Sequence, residues 1–177
     1  MKLLCRLFGI DQIAADSSRI PRDVVEDYLR SKEYEVIRSN KTATGGITHI
    51  NRSLTTDPSM NLKGVVGRDD LLLIKSEITH VLTDIFIDGN DVMGVLEILD
   101  ESLMDTKSAE RIKQLKGLVR NGIKVGLSCV ILAYWDQNEV ATGIKAIKGV
   151  DITENPSFAG SGVVRIIEDE STKGESV

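Results

Sequence analysis

Cysteine and histidine are both scarce in this chain, with two of each in 177 residues. Cys5 and Cys129 sit in apolar, strand-like runs with no CxxC and no Cys/His metal spacing. That argues against a structural zinc site and reads them as small core residues of a reduced protein. Basic charge is short as well. Lys and Arg number 22 against 27 Asp and Glu, for a formal net charge of -5, and no long basic run interrupts the pattern. A nucleic-acid binder that works by neutralising phosphates is therefore not expected. Long hydrophobic runs are missing too: the stretch from Met1 to Phe8 is too short, and too interrupted by charge, to be a signal peptide or a membrane span. The protein is expected to stay in the compartment where it is made. There is no internal repeat and no low-complexity block.

What remains is a chain with 41% hydrophobic residues, enough to bury one proper core. Residues 2–10 read as a first strand. Pro21 opens a helix from Arg22 to about Ile37, with Val24, Val25, Tyr28 and Leu29 as its apolar stripe. The polar, glycine-bearing Ser39 to Gly46 breaks that helix before a short segment from Ile47 to Ile50. Asn51 to Asp70 is rich in Asn, Ser, Thr, Asp and Gly and reads as a long loop or insertion. An apolar, β-branched run to Ile87, the turn Asp88-Gly89-Asn90-Asp91 and an alternating run to Leu99 predict a hairpin. Asp105 or Thr106 caps a helix that ends at Asn121-Gly122. Further strands are expected around Ser128, over Val140 to Ile147, at Gly149 to Ile152 and over Gly162 to Ile167. Glu168 to Val177 reads as an acidic disordered tail. The expected organisation is one domain over 1–167 of the α+β class: a mainly antiparallel sheet or barrel flanked by a few helices.

The run Gly122-Ile123-Lys124-Val125-Gly126-Leu127-Ser128-Cys129-Val130 is a buried strand by composition, and its lone hydroxyl needs a reason. Ser128 is either a core serine bonded to a backbone carbonyl or a nucleophile fixed on a rigid strand. A nucleophilic serine needs a base. His80 lies inside the apolar Ile78-Thr79-His80-Val81-Leu82 run, where a hydrogen-bonded structural role is the commoner outcome, whereas His49 sits at a loop edge suited to proton exchange. Asp151, a lone carboxylate between Val150 and Ile152, either orients the imidazole or faces solvent at a strand end. No GxSxG elbow surrounds Ser128, which separates the chain from the α/β-hydrolases. Cys129, one residue on, points to the opposite face by strand alternation.

Five short segments, in order, resemble the prohead (capsid maturation) proteases of tailed bacteriophages, a family related in fold to the herpesvirus protease assemblin. They are Ser18-Arg19-Ile20-Pro21-Arg22, Gly45-Gly46-Ile47-Thr48-His49, the hairpin from Thr79 to Gly94, the strand Gly122 to Ser128, and Gly149-Val150-Asp151 with Asn155-Pro156-Ser157-Phe158. The resemblance implies an assemblin-like fold and a serine endopeptidase with Ser128 as nucleophile, His49 as general base and Asp151 as orienting acid. It implies scaffold and major capsid proteins as substrates, inside the immature head in the host cytoplasm, with no metal, nucleotide or organic cofactor, no nucleic acid and no membrane; a homo-oligomer stays open. The chain departs from the family pattern at Ile50, where many relatives carry proline, and at Cys129, where one branch carries a second serine. Those departures keep a second class in view, a catalytically inactive protease-fold structural or scaffold-associated capsid protein.

Overall fold

The computed structural model describes residues 1–46 and 78–169. The sequence-predicted loop over 51–70, the segment 47–50 and His49 within it lie outside the described residues, as does the tail from 170 on. Within them the chain is a mixed α/β fold with mostly antiparallel strands and few helices. In chain order it runs β1 (Lys2–Gly9), α1 (Arg22–Leu29), α2 (Lys32–Asn40), β2 (Thr44–Gly45), β3 (His80–Asp88), β4 (Asp91–Ile98), α3 (Thr106–Arg120), β5 (Leu127–Trp135), β6 (Ala141–Ile152) and β7 (Gly162–Glu168).

Five strands form one sheet in the order β2-β3-β4-β1-β7, and β5 pairs with β6 in a second. The β3–β4 hairpin turns at Gly89-Asn90 as its sequence predicts, with Asp88 opposite Asp91. Two seams join the sheets. At one, Gly126 bridges Gly162, and Val163 N–H donates to Val125 O at 2.9 Å. At the other, Ile152 N–H donates to Gly46 O at 2.9 Å, bringing β6 against the end of β2. The strands therefore follow one another round a closed barrel. The second seam is unusually tight: a Cβ on Gly45 would stand 1.7 Å from Val150 O, and one on Gly149 would stand 1.9 Å from Thr44 O. Only glycine lets the two backbones approach so closely.

Phe8, Leu3, Leu7, Leu96, Leu127 and Ile147 fill the interior. The single helix expected over Arg22 to Ile37 is in fact two. Ser31 interrupts it by accepting a hydrogen bond from Tyr34 N–H at 3.2 Å while donating to Tyr28 O at 2.6 Å, which closes one helix and caps the next. Both helices are fastened to the barrel through tyrosines. Tyr28 Oη accepts from Ile147 N–H at 3.0 Å, and Tyr34 Oη donates to Asp84 at 2.9 Å and accepts from Ile85 N–H at 2.8 Å. Helix α3 behaves as its sequence predicts. The Asp105 side chain caps it by accepting from Ser108 N–H, and Gly122, at φ +68°, ends it with Gly122 N–H donating to Val119 O and Ile123 N–H to Leu118 O, both at 3.0 Å.

Two boundaries differ from the sequence reading. Val140 to Ile147 and Gly149 to Ile152 are one strand, because a register shift opposite Val130 and Ile131 absorbs Lys148 without ending the ladder. Glu168, assigned from sequence to the tail, closes β7 and pairs with Lys2 at 2.9 Å; Asp169 beside it is held by Arg120 at 2.8 and 3.0 Å.

Candidate active site

Strand β5 starts from the glycine stop after α3, and its β-branched and aliphatic residues pair along their length with β6. The register places Leu127 opposite Ile152, Ser128 opposite Asp151 and Cys129 opposite Val150. Directly opposed residues of an antiparallel pair point to the same face, with Cβ atoms about 4.5–5.5 Å apart. Ser128 and Asp151, 23 positions apart in the sequence, thus share one face, while Leu127, Val150 and Cys129 belong to the core cluster or pack against it.

Ser128 is 7% exposed and Asp151 is fully buried. The alternative of a solvent-facing aspartate at a strand end is excluded. Burying a carboxylate is costly unless other groups replace its water. One of them is Gly46, whose N–H lies 3.4 Å from Asp151 Oδ1, while the same residue's carbonyl accepts from Ile152 N–H. Gly46 thus meets both the Asp151 carboxylate and the amide of the residue that follows it. For Ser128, no hydrogen bond of the hydroxyl to a backbone carbonyl is formed among the described residues, so the bond that a core serine would be expected to make is missing there.

His80 has partners other than Ser128. It is fully buried on β3, with Nδ1 2.8 Å from Thr79 Oγ1 and Nε2 2.7 Å from Val150 O. Burial pulls its pKa down to about 4, against the Val150 carbonyl, which works the other way. Both ring nitrogens are occupied by partners other than the serine, as suits a structural imidazole.

Cys129 is partly buried against the core. Burial first, and then the Asp151 carboxylate, push its thiol up to about 12, so at neutral pH it is almost wholly the unreactive thiol.

Sequence reasoning names Gly45, Gly46 and Thr79 in the resemblance but gives them no part in holding Asp151. In sequence the adjacent glycines read as a helix-ending turn; their use is to let β2 lie against β6 at Asp151. A glycine pair immediately before a candidate catalytic residue is the available signal. A cleft of about 470 Å³ between α3 and the ends of β5 and β6 is lined by Gln114, Leu118, Lys124, Gly126, Ile152 and Glu154, among others. Its walls reach the strand positions next to Asp151 and two before Ser128. Among the described residues no group of three or more His, Cys, Asp or Glu side chains could hold a metal ion, and no helix is long and apolar enough to cross a membrane.

No protein-family model matches the sequence, and no curated protein matches it. Among solved structures the fold is similar to that of the bacteriophage T4 capsid assembly protease, with a TM-score of 0.56 and 17% sequence identity over 85% of this chain and 79% of that one. At that identity the likeness is one of fold.

Proposed function

We propose that this chain is a serine endopeptidase of the prohead protease type, with an assemblin-like barrel, and that it cleaves scaffold and capsid precursor proteins inside the immature phage head. The observation that carries the reading is the cross-strand pairing of Ser128 with a fully buried Asp151 on a fold similar to that of a capsid assembly protease. A serine and a buried aspartate on one face are two members of a Ser-His-Asp constellation. The third is His49. In sequence it follows by three positions Gly46, whose N–H meets Asp151.

In this reading His49 takes the proton from the Ser128 hydroxyl as the oxygen attacks the substrate carbonyl, and Asp151 holds the imidazole in its working tautomer and balances the imidazolium. Backbone N–H groups near the strand bind the oxyanion. His49 then gives the proton to the leaving amine, and water, activated by the same histidine, releases the acyl group from Ser128. No cofactor or metal takes part.

The test is to coexpress the chain with the scaffold and major capsid proteins of its own particle, as wild type and as Ser128→Ala, and to weigh the products by mass spectrometry. Shortened scaffold or capsid chains are expected with the wild type and absent with Ser128→Ala. Identical intact masses in both would sink the proposal and leave a protease-fold capsid component in its place.

A further inference from the structure

His80 takes no part in the reaction proposed above, yet a fully buried imidazole costs more to desolvate than an apolar side chain of its size. Its contacts explain what it does. Val150 O can only accept, so Nε2 carries the proton at that 2.7 Å contact. Nδ1 is then the lone-pair nitrogen, and it accepts from the Thr79 hydroxyl at 2.8 Å. Thr79 is itself fully buried. The ring is neutral, in one tautomer, with both nitrogens satisfied.

Its path matters as much as its partners. Gly45 of β2 lies opposite His80 of β3, and a Cβ on Gly45 would stand 2.6 Å from His80 Nε2. The imidazole passes over the one residue of β2 that has no side chain and reaches the strand beyond. There its Nε2–H donates to Val150 O. Val150 precedes Asp151, and Ile152, which follows it, is bonded to Gly46 O at 2.9 Å. Asp151 is thus bracketed on one side by a side-chain bond from His80 of β3 and on the other by a backbone bond to Gly46, just after β2.

We propose that His80 is a positioning residue for the Ser128 site: its neutral imidazole ties β3 to the carbonyl just before Asp151 and so sets where that carboxylate stands beside Ser128. The inference rests on the serine-protease reading, and its test separates the two. The probe is a fluorophosphonate, which reacts with an activated serine, and the readout is its limiting rate (kinact) and half-saturation (KI) on wild type, His80→Leu, His80→Gln, Thr79→Val and Ser128→Ala, each shown to be folded by circular dichroism at the assay temperature.

Misplacing a catalytic group by an ångström costs up to about 100-fold, so His80→Leu is expected to lower kinact by about 10- to 100-fold with KI unchanged. His80→Gln, whose side-chain N–H can still reach Val150 O, is expected to stay within about threefold of wild type. Thr79→Val keeps the ring but frees its tautomer and falls between; it carries the test if His80→Leu does not fold. A merely structural role would lower the melting temperature and leave kinact of the folded protein alone. Equal kinact in wild type and in the folded His80→Leu and Thr79→Val variants overturns the positioning role, as does a His80→Gln variant as slow as His80→Leu. A wild type that takes no label at Ser128 overturns the protease reading itself.

Discussion

Lowering the pH should unfold this protein partly through one residue. His80 is fully buried, and its pKa in the folded chain is about 4 against an ordinary 6.5. Above pH 6.5 the imidazole is neutral in both states and makes no difference to stability. As pH falls from 6.5 toward 4, the unfolded chain binds a proton at His80 that the folded chain does not, so the unfolded state gains; below about 4 both are protonated and the difference is constant. The gap between 6.5 and about 4 corresponds to about 3 kcal/mol, a large share of a domain's stability. Carboxylates add their own acid sensitivity, which is why the measurement is a comparison. Urea denaturation of wild type and His80→Gln from pH 7 to pH 3.5 should show wild type losing about 3 kcal/mol more than the variant, with the divergence confined to the interval between 6.5 and 4. Parallel loss of stability in the two proteins would refute the argument that burial holds this ring neutral.

Other outcomes follow from the same contacts. Gly45→Ala would put a methyl 1.7 Å from a backbone oxygen that no side-chain rotation can move; thermal melts should show a loss of about 3 kcal/mol or more. Gly117, inside α3, has nothing within 4 Å of where a Cβ would lie, so Gly117→Ala should raise stability by about 0.5–1 kcal/mol, and a fall would mean that this helix face is occupied. With its thiol pushed up to about 12, Cys129 should resist iodoacetamide at pH 7.5 until the protein is unfolded by urea, and Cys129→Ala should keep the fluorophosphonate reactivity of wild type.

Much of the fold is legible in the sequence because local rules and tertiary contacts agree. The β3–β4 hairpin announces itself through a two-residue turn between alternating strands, and α3 through an aspartate cap and a terminal glycine. The break between α1 and α2 is not legible: Ser31 lies inside an apolar stripe, and only its two hydrogen bonds show that it ends one helix and begins another. Strand β6 reads as two because Gly149 resembles a breaker, whereas it is a glycine made necessary by the passage of β2. Of the site, Ser128 and Asp151 are each ambiguous in sequence, since periodicity within a strand says nothing about which distant residue stands opposite. The β5–β6 register supplies that fact. For His80 the sequence favours a structural role, but not what it holds: the Val150 carbonyl is 70 positions away, reached only across a glycine.

The most direct test of the central claim is to find which atom of the folded chain a fluorophosphonate modifies, by intact mass and peptide mapping, in wild type and in Asp151→Asn. A single adduct on Ser128 is predicted, formed up to about 10,000-fold more slowly when the orienting carboxylate becomes an amide. No adduct, an adduct on another residue, or equal rates in the two proteins would contradict it.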